Sequence, residues 1–209
     1  MSTRSLDTER IGPELTLSEL RLPPHVGERL ATLFDRDGRF ETGAEWVAAI
    51  REASEATEGR PPTVDDLCTM PDGAHSVSLE GDDETTSFVC VLDPLAVPFL
   101  EDRPGTVRST TPEDGEDVTV EIATDDATAT PSNAVVSLGV ARDVDAETSV
   151  SHEGIYREVC PYIHVFASVD EYERWADGVD AATTSVPVDT GIALARELAG
   201  ALFVHDGET

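Results

Sequence analysis

Lysine is missing from this 209-residue chain; all 14 basic residues are arginine. Its absence excludes chemistry built on a lysine amine, including Schiff-base and pyridoxal phosphate enzymes and the lysine of a phosphate-binding loop. Cysteine is scarce as well. The three present, Cys68, Cys90 and Cys160, form no Cys-x-x-Cys pair, which argues against a disulfide framework, a zinc ribbon or a thioredoxin-like dithiol. No apolar run approaches the roughly 18 residues of a membrane span. The opening MSTRSLDTER lacks the apolar core of a secretory signal. A cytoplasmic protein without a membrane partner is therefore expected. Gly12, Gly27 and Gly38 have no motif spacing, so no glycine-rich phosphate cradle is read.

What the chain has in excess is acid. Against the 14 arginines stand 43 aspartates and glutamates, giving a formal charge of −29. Nucleic-acid binding is disfavoured, because phosphates need a basic surface. Acidity spread along the whole chain, with lysine absent, suggests adaptation to a salty cytoplasm, where salt screens the self-repulsion and carboxylates keep the surface hydrated. At 39% hydrophobic residues the chain can still bury a core.

The pattern along the chain changes near Pro71. Before it, Val26, Leu30, Leu33 and Phe34 recur at helical spacing, and Thr42 with Glu45 reads as a capping box for a helix that stops before Gly59. Thr63 to Cys68 reads as a third short helix. Residues 1–70 are thus expected to form a small helical, winged-helix-like domain without a basic recognition face. Residues 71–209 read as an α+β domain, a mixed sheet with flanking helices. Strands are expected at His75–Leu79, Thr86–Leu92, Val107, Val118–Ile122, Ala134–Val140 and Tyr162–Ala167. Asp93-Pro94 fits a helix start, with Asp93 as N-cap, and Pro98 should interrupt that helix. Ser168 with Glu171 predicts a capped helix through Tyr172 and Trp175. A last helix is expected over Thr190–Phe203.

The most informative segment is Phe88-Val-Cys90-Val-Leu-Asp93-Pro, with a thiol and a carboxylate three residues apart at a strand-to-helix junction. Unpaired N–H groups at a helix N-terminus can lower a thiol pKa, and a carboxylate there can take up or hand on a proton. The plain alternative makes Cys90 a small core residue and Asp93 an N-cap. Cys160 precedes Pro161, which biases it to an extended conformation at the mouth of the next strand. It too reads either as core or as a partner thiol. Two thiols at neighbouring strand ends with one acid between them would make a soft-metal site with a proton relay. Cys68, beside Met70, reads as a core thiol that could give a third metal contact only if the first domain folds over the site. His164, alternating with Tyr162 and Phe166, reads as a hydrogen-bonded core histidine. His152 and Glu153 read as solvated loop residues.

The stretches FVCVLDPLAVPFL, TVRSTTPEDGEDVTVEI and EVCPYIHVFASVDEYERWA resemble the organomercurial (alkylmercury) lyase family, most strongly over residues 85–209. The resemblance implies an α+β catalytic domain and carries the family's catalytic cysteines onto Cys90 and Cys160 and its catalytic aspartate onto Asp93. Two positions depart from the common pattern: Pro161 stands where many members have a further cysteine, and Thr111 where many have a structural one.

The resemblance also implies protonolysis of a carbon–mercury bond. Cys90 and Cys160 would hold R–Hg⁺ as soft ligands. Asp93, also close to the metal, would take a thiol proton and deliver it to the departing carbon. Hydrocarbon and thiolate-held Hg(II) would result. No cofactor is implied; external low-molecular-weight thiols, or a partner mercuric reductase, would remove the metal. Phe88, Leu92, Phe99 and Tyr162 could wall the organic group. A non-catalytic thiol protein that binds or senses Hg(II) or Cu(I) is the alternative, and Asp93 separates the two, because a binder needs no proton donor.

Overall fold

The computed structural model describes residues 16–59, 66–123, 126–144 and 152–202. Helix α1 (Pro24–Leu33) carries proline in its first turn, where a missing N–H leaves no bond unmade, and buries Val26, Leu30, Ala31 and Leu33. Helix α2 (Gly43–Glu58) has the expected capping box. The Glu45 N–H donates to Thr42 Oγ1 at 3.3 Å, and Glu45 Oε2 accepts from the N–H groups of Thr42 (3.3 Å) and Glu41 (2.6 Å). Gly59 follows with φ +71°, the left-handed stop that glycine supplies most cheaply. Of the helix expected over Thr63–Cys68, residues 63–65 lie outside the described residues, and Leu67 and Cys68 are not helical.

Two sheets follow. The first joins β1 (His75–Leu79), β2 (Thr86–Phe88), β3 (Gly105–Thr110), β4 (Asp117–Ile122) and β5 (Ala127–Thr130) in the order β2-β1-β3-β4-β5. The second places β6 (Val135–Ala141) between β7 (Val165–Phe166) and β8 (Ala181–Pro187). Every pairing is antiparallel, so the expected mixed sheet is corrected to two antiparallel ones. No crossover returns a strand beside its neighbour in the same direction. Strand β5 was not anticipated from its Ala-Thr sequence.

Helices α3 (Leu92–Leu100), α4 (His152–Glu158), α5 (Val169–Gly178) and α6 (Val188–Leu202) flank the sheets, with a 3-10 turn at Cys160–Tyr162. Helix α3 packs on α6, and α1 packs on β6 and β8. One apolar core runs from Leu17 through Trp46, Cys68, Leu95 and Val136 to Ala199, so the first two helices share it with both sheets and α6. Phe166 and Tyr172, with Val135, form a second small cluster against Trp175.

Several boundaries differ from the sequence reading. β2 stops at Phe88, because the N–H groups of Val89 and Val91 bond to loop carbonyls of Cys68 and Ile163, both at 3.0 Å. Helix α3 then begins at Leu92, which puts Asp93 inside its first turn instead of at the N-cap. Pro98 does not break α3; it lies in the last turn, where the helix runs only two residues further. His152 and Glu153 open α4 and do not lie in a loop.

Candidate active site

Cys90 sits between the end of β2 and the start of α3. The two loop bonds that end β2 also fix this segment from both sides: Val89 ties it to Cys68, and Val91 ties it to Ile163, just past the turn that carries Cys160. Cys160 opens that turn and is not extended as expected. The fixed φ of Pro161 suits the first position of a helical turn, and the Ile163 N–H closes it onto the Cys160 carbonyl at 3.2 Å.

Strand β6 holds the turn in place. Ser137 Oγ donates to the Tyr162 carbonyl and accepts from the His164 N–H, each at 2.9 Å. Gly139 permits the close approach: a Cβ there would lie 2.8 Å from Tyr162 Cβ and 2.9 Å from Thr183 Cγ2. His164 Nε2 lies 2.8 Å from the Pro161 carbonyl, which can only accept, so this nitrogen carries the proton. Its Nδ1, 3.0 Å from His75 Nε2, is then the acceptor of a proton carried by His75. His164 is therefore the hydrogen-bonded core histidine that the sequence suggested. Burial lowers the pKa of both rings. For His75, which is fully buried on β1, burial and the neighbouring His164 bring it to about 3.

His75 itself was missed. Its position in register with Val77 on the inward face of β1 was the available signal. Glu171 was anticipated as a capping residue, but its buried carboxylate does more. It accepts from Ala167 N–H at 2.8 Å and from Asp114 N–H at 3.1 Å, so it links α5 to the turn after β3. In that turn Thr111, at the position where the family often has cysteine, is buried and accepts from the Glu116 N–H at 3.0 Å.

The three thiols converge. Cys68 Sγ is 3.2 Å from Cys160 Sγ. Cys90 lies close enough to Cys160 for each to shift the other's pKa, and it feels the charge of both Asp93 and Cys68. Asp93 is half-buried and accepts the backbone N–H of Cys68 at 2.8 Å, which explains why it does not cap its own helix. All three cysteines are buried and free of disulfide. The hydrogen bond from Cys160 favours the Cys90 thiolate, but burial and the neighbouring Asp93 and Cys68 charges outweigh it, and the thiol lies above its ordinary pKa. Cys160 is pushed well above its own, first by its hydrogen bonds to Cys68 and Cys90 and then by burial. The expectation that the helix terminus would lower the Cys90 pKa is thus corrected: desolvation and adjacent negative charge dominate.

Soft sulfur ligands beside a carboxylate suit a thiophilic metal together with a proton carrier. Two surface clefts, one along β1, β3 and β4 and the other between α1 and α2, are lined by other residues. No helix among the described residues is long and apolar enough to cross a membrane.

No curated protein matches the sequence significantly. Among solved structures, the mercury-bound form of MerB2 aligns with a TM-score of 0.49 at 13% identity, over 85% of this chain and 98% of that one. The alkylmercury lyase (MerB) family matches residues 69–200, well over half of the chain and every strand described above. By that match the chain belongs to the alkylmercury lyase family, and it is an enzyme that cleaves carbon–mercury bonds.

Proposed function

We propose that Cys90, Cys160 and Asp93 carry the reaction. The observation behind this reading is the approach of the two thiols, one in the link after β2 and one in the turn before β7, beside a carboxylate that a third segment holds by its N–H. An incoming R–Hg–X exchanges X for one thiol sulfur, and that thiol proton leaves with X as HX. The second thiol then joins the metal and gives its proton to Asp93. Asp93 passes it to the carbon as the Hg–C bond breaks. The products are RH and Hg(II) held by two thiolates, with no change of oxidation state. Because both thiols rest protonated, the proton that ends on carbon is already stored in the site.

External thiols or a partner mercuric reductase would clear the product. Residues 1–70 are read as a helical, winged-helix-like cover and 71–209 as the catalytic unit. The acidic, lysine-free composition supports a salt-adapted cytoplasmic enzyme.

The test is direct. The purified protein in high salt is given an aryl- or alkylmercury compound with excess thiol, and hydrocarbon release is measured. Stoichiometric Hg(II) binding with no hydrocarbon from any such compound would instead assign a non-catalytic soft-metal binder.

A further inference from the structure

The proposed mercury site leaves one of the three thiols without a role. Cys68 lies just before the segment that matches the family, yet it is bound into the site at three points. Its Sγ touches Cys160 Sγ at 3.2 Å, its N–H holds the Asp93 carboxylate at 2.8 Å, and its carbonyl accepts the Val89 N–H at 3.0 Å, one residue from Cys90. The side chain is 7% exposed, so this contact is made inside the core and not at the surface. A buried thiol whose only role is to fill space has no need of a sulfur for a neighbour, whereas a soft ion that reaches Cys160 from the side facing Cys68 comes within bonding range of both sulfurs.

We propose that Cys68 is a third mercury ligand, which binds the Hg(II) product together with Cys90 and Cys160. The inference rests on the two-thiol reading above. As the side chains stand, no three of the described histidine, cysteine or acidic residues are spaced around a metal. Metal–sulfur bonds of about 2.3 Å or longer, as in zinc thiolates, hold trigonal sulfurs further apart than the present 3.2 Å contact. Metal entry therefore parts the Cys68–Cys160 pair, and the freed Cys68 sulfur closes on the ion from the side.

The step balances without an oxidant. Cys68 forms one Hg–S bond and loses its thiol proton. The Asp93 carboxylate, which has just given its proton to carbon and lies against the Cys68 backbone, accepts it. The complex becomes a three-thiolate Hg(II) species, and Asp93 becomes a carboxylic acid. The third thiolate holds the product more tightly until external thiols displace it.

The experiment counts sulfur neighbours. Full-length protein, reduced with a non-thiol reductant in high salt, is loaded with one equivalent of Hg(II) and gel-filtered. Its X-ray absorption at the mercury edge is then recorded. Three sulfurs are expected in the parent and two in Cys68→Ser, which should also lose Hg(II) to a competing dithiol at least about tenfold more readily. Two sulfurs in the parent, or three retained in Cys68→Ser, overturn the third-ligand inference and leave the two-thiol reading standing. A parent that retains no Hg(II) overturns both. Should Cys68→Ser fail to fold, the parent's own sulfur count still decides.

Discussion

His75 Nε2 lies 3.0 Å from His164 Nδ1, and through His164 the pair reaches the Pro161 carbonyl beside Cys160. The relay works only with both rings neutral, since a proton on His164 Nδ1 would face the one His75 donates. Unfolded, His75 takes up a proton near pH 6.5; folded, burial and His164 defer that to about pH 3. Below about pH 6.5 the unfolded chain therefore binds more protons, and stability falls as pH drops toward 3. At about 1.4 kcal/mol per pKa unit the full loss is on the order of 5 kcal/mol. Urea midpoints of the parent and His75→Gln at pH 7 and pH 5 check this: the parent should lose more stability across that interval.

Asp93→Asn separates ligand binding from proton transfer. The amide keeps the shape and an oxygen that can accept the Cys68 N–H, but it cannot carry a proton. Hg(II) retention should persist, while hydrocarbon release should fall by about 10²–10⁴-fold, the usual worth of a positioned acid–base group. Turnover at the parent rate would reduce Asp93 to an anchor for Cys68.

Gly139→Ala is expected to damage the site from across the sheet. The new methyl would sit 2.8 Å from Tyr162 Cβ, and Tyr162 ends the turn that Cys160 opens. Overpacking of this kind costs about 1–3 kcal/mol, and here it also shifts the turn that carries the proposed mercury ligand Cys160. Thermal unfolding and hydrocarbon release should fall together. Gly178→Ala, whose Cβ meets nothing within 4 Å, serves as the comparison.

The charge of −29 should make folding depend on salt. At low ionic strength the Debye length grows from about 10 Å at 0.1 M to about 30 Å at 0.01 M, so carboxylates spread over the whole surface repel one another. Circular dichroism during dialysis into dilute buffer should report loss of structure. Full stability without salt would disprove the habitat reading.

The residues that proved legible in the sequence are those whose partners are close in the chain. Thr42 with Glu45, Ser168 with Glu171 and the stop at Gly59 appear where they were placed, because a cap needs only residues within one turn. Asp93 was misread for the complementary reason: its partner is the N–H of Cys68, 25 positions away, and nothing local distinguishes that bond from a cap. Pro161 alone predicts an extended Cys160, whereas Ser137 and Gly139 on another strand decide the turn. The cysteines and the aspartate could be singled out by chemistry and resemblance, but their convergence depends on how the two sheets dock.

That docking has one more effect. Cys90 leaves the end of the five-stranded sheet and Cys160 borders the three-stranded one, joined locally by the Val91–Ile163 bond. On the proposed two-thiolate site, an ion seated between these sulfurs would be a removable rivet through the protein. Since it binds only where both sheets are in place, it raises stability by RT ln(1 + [L]/Kd), about 4 kcal/mol at a thousandfold excess over Kd. Thiols that strip the ion also withdraw the rivet. On that proposal the lifetime of the folded enzyme would be tied to the same thiols that clear its product.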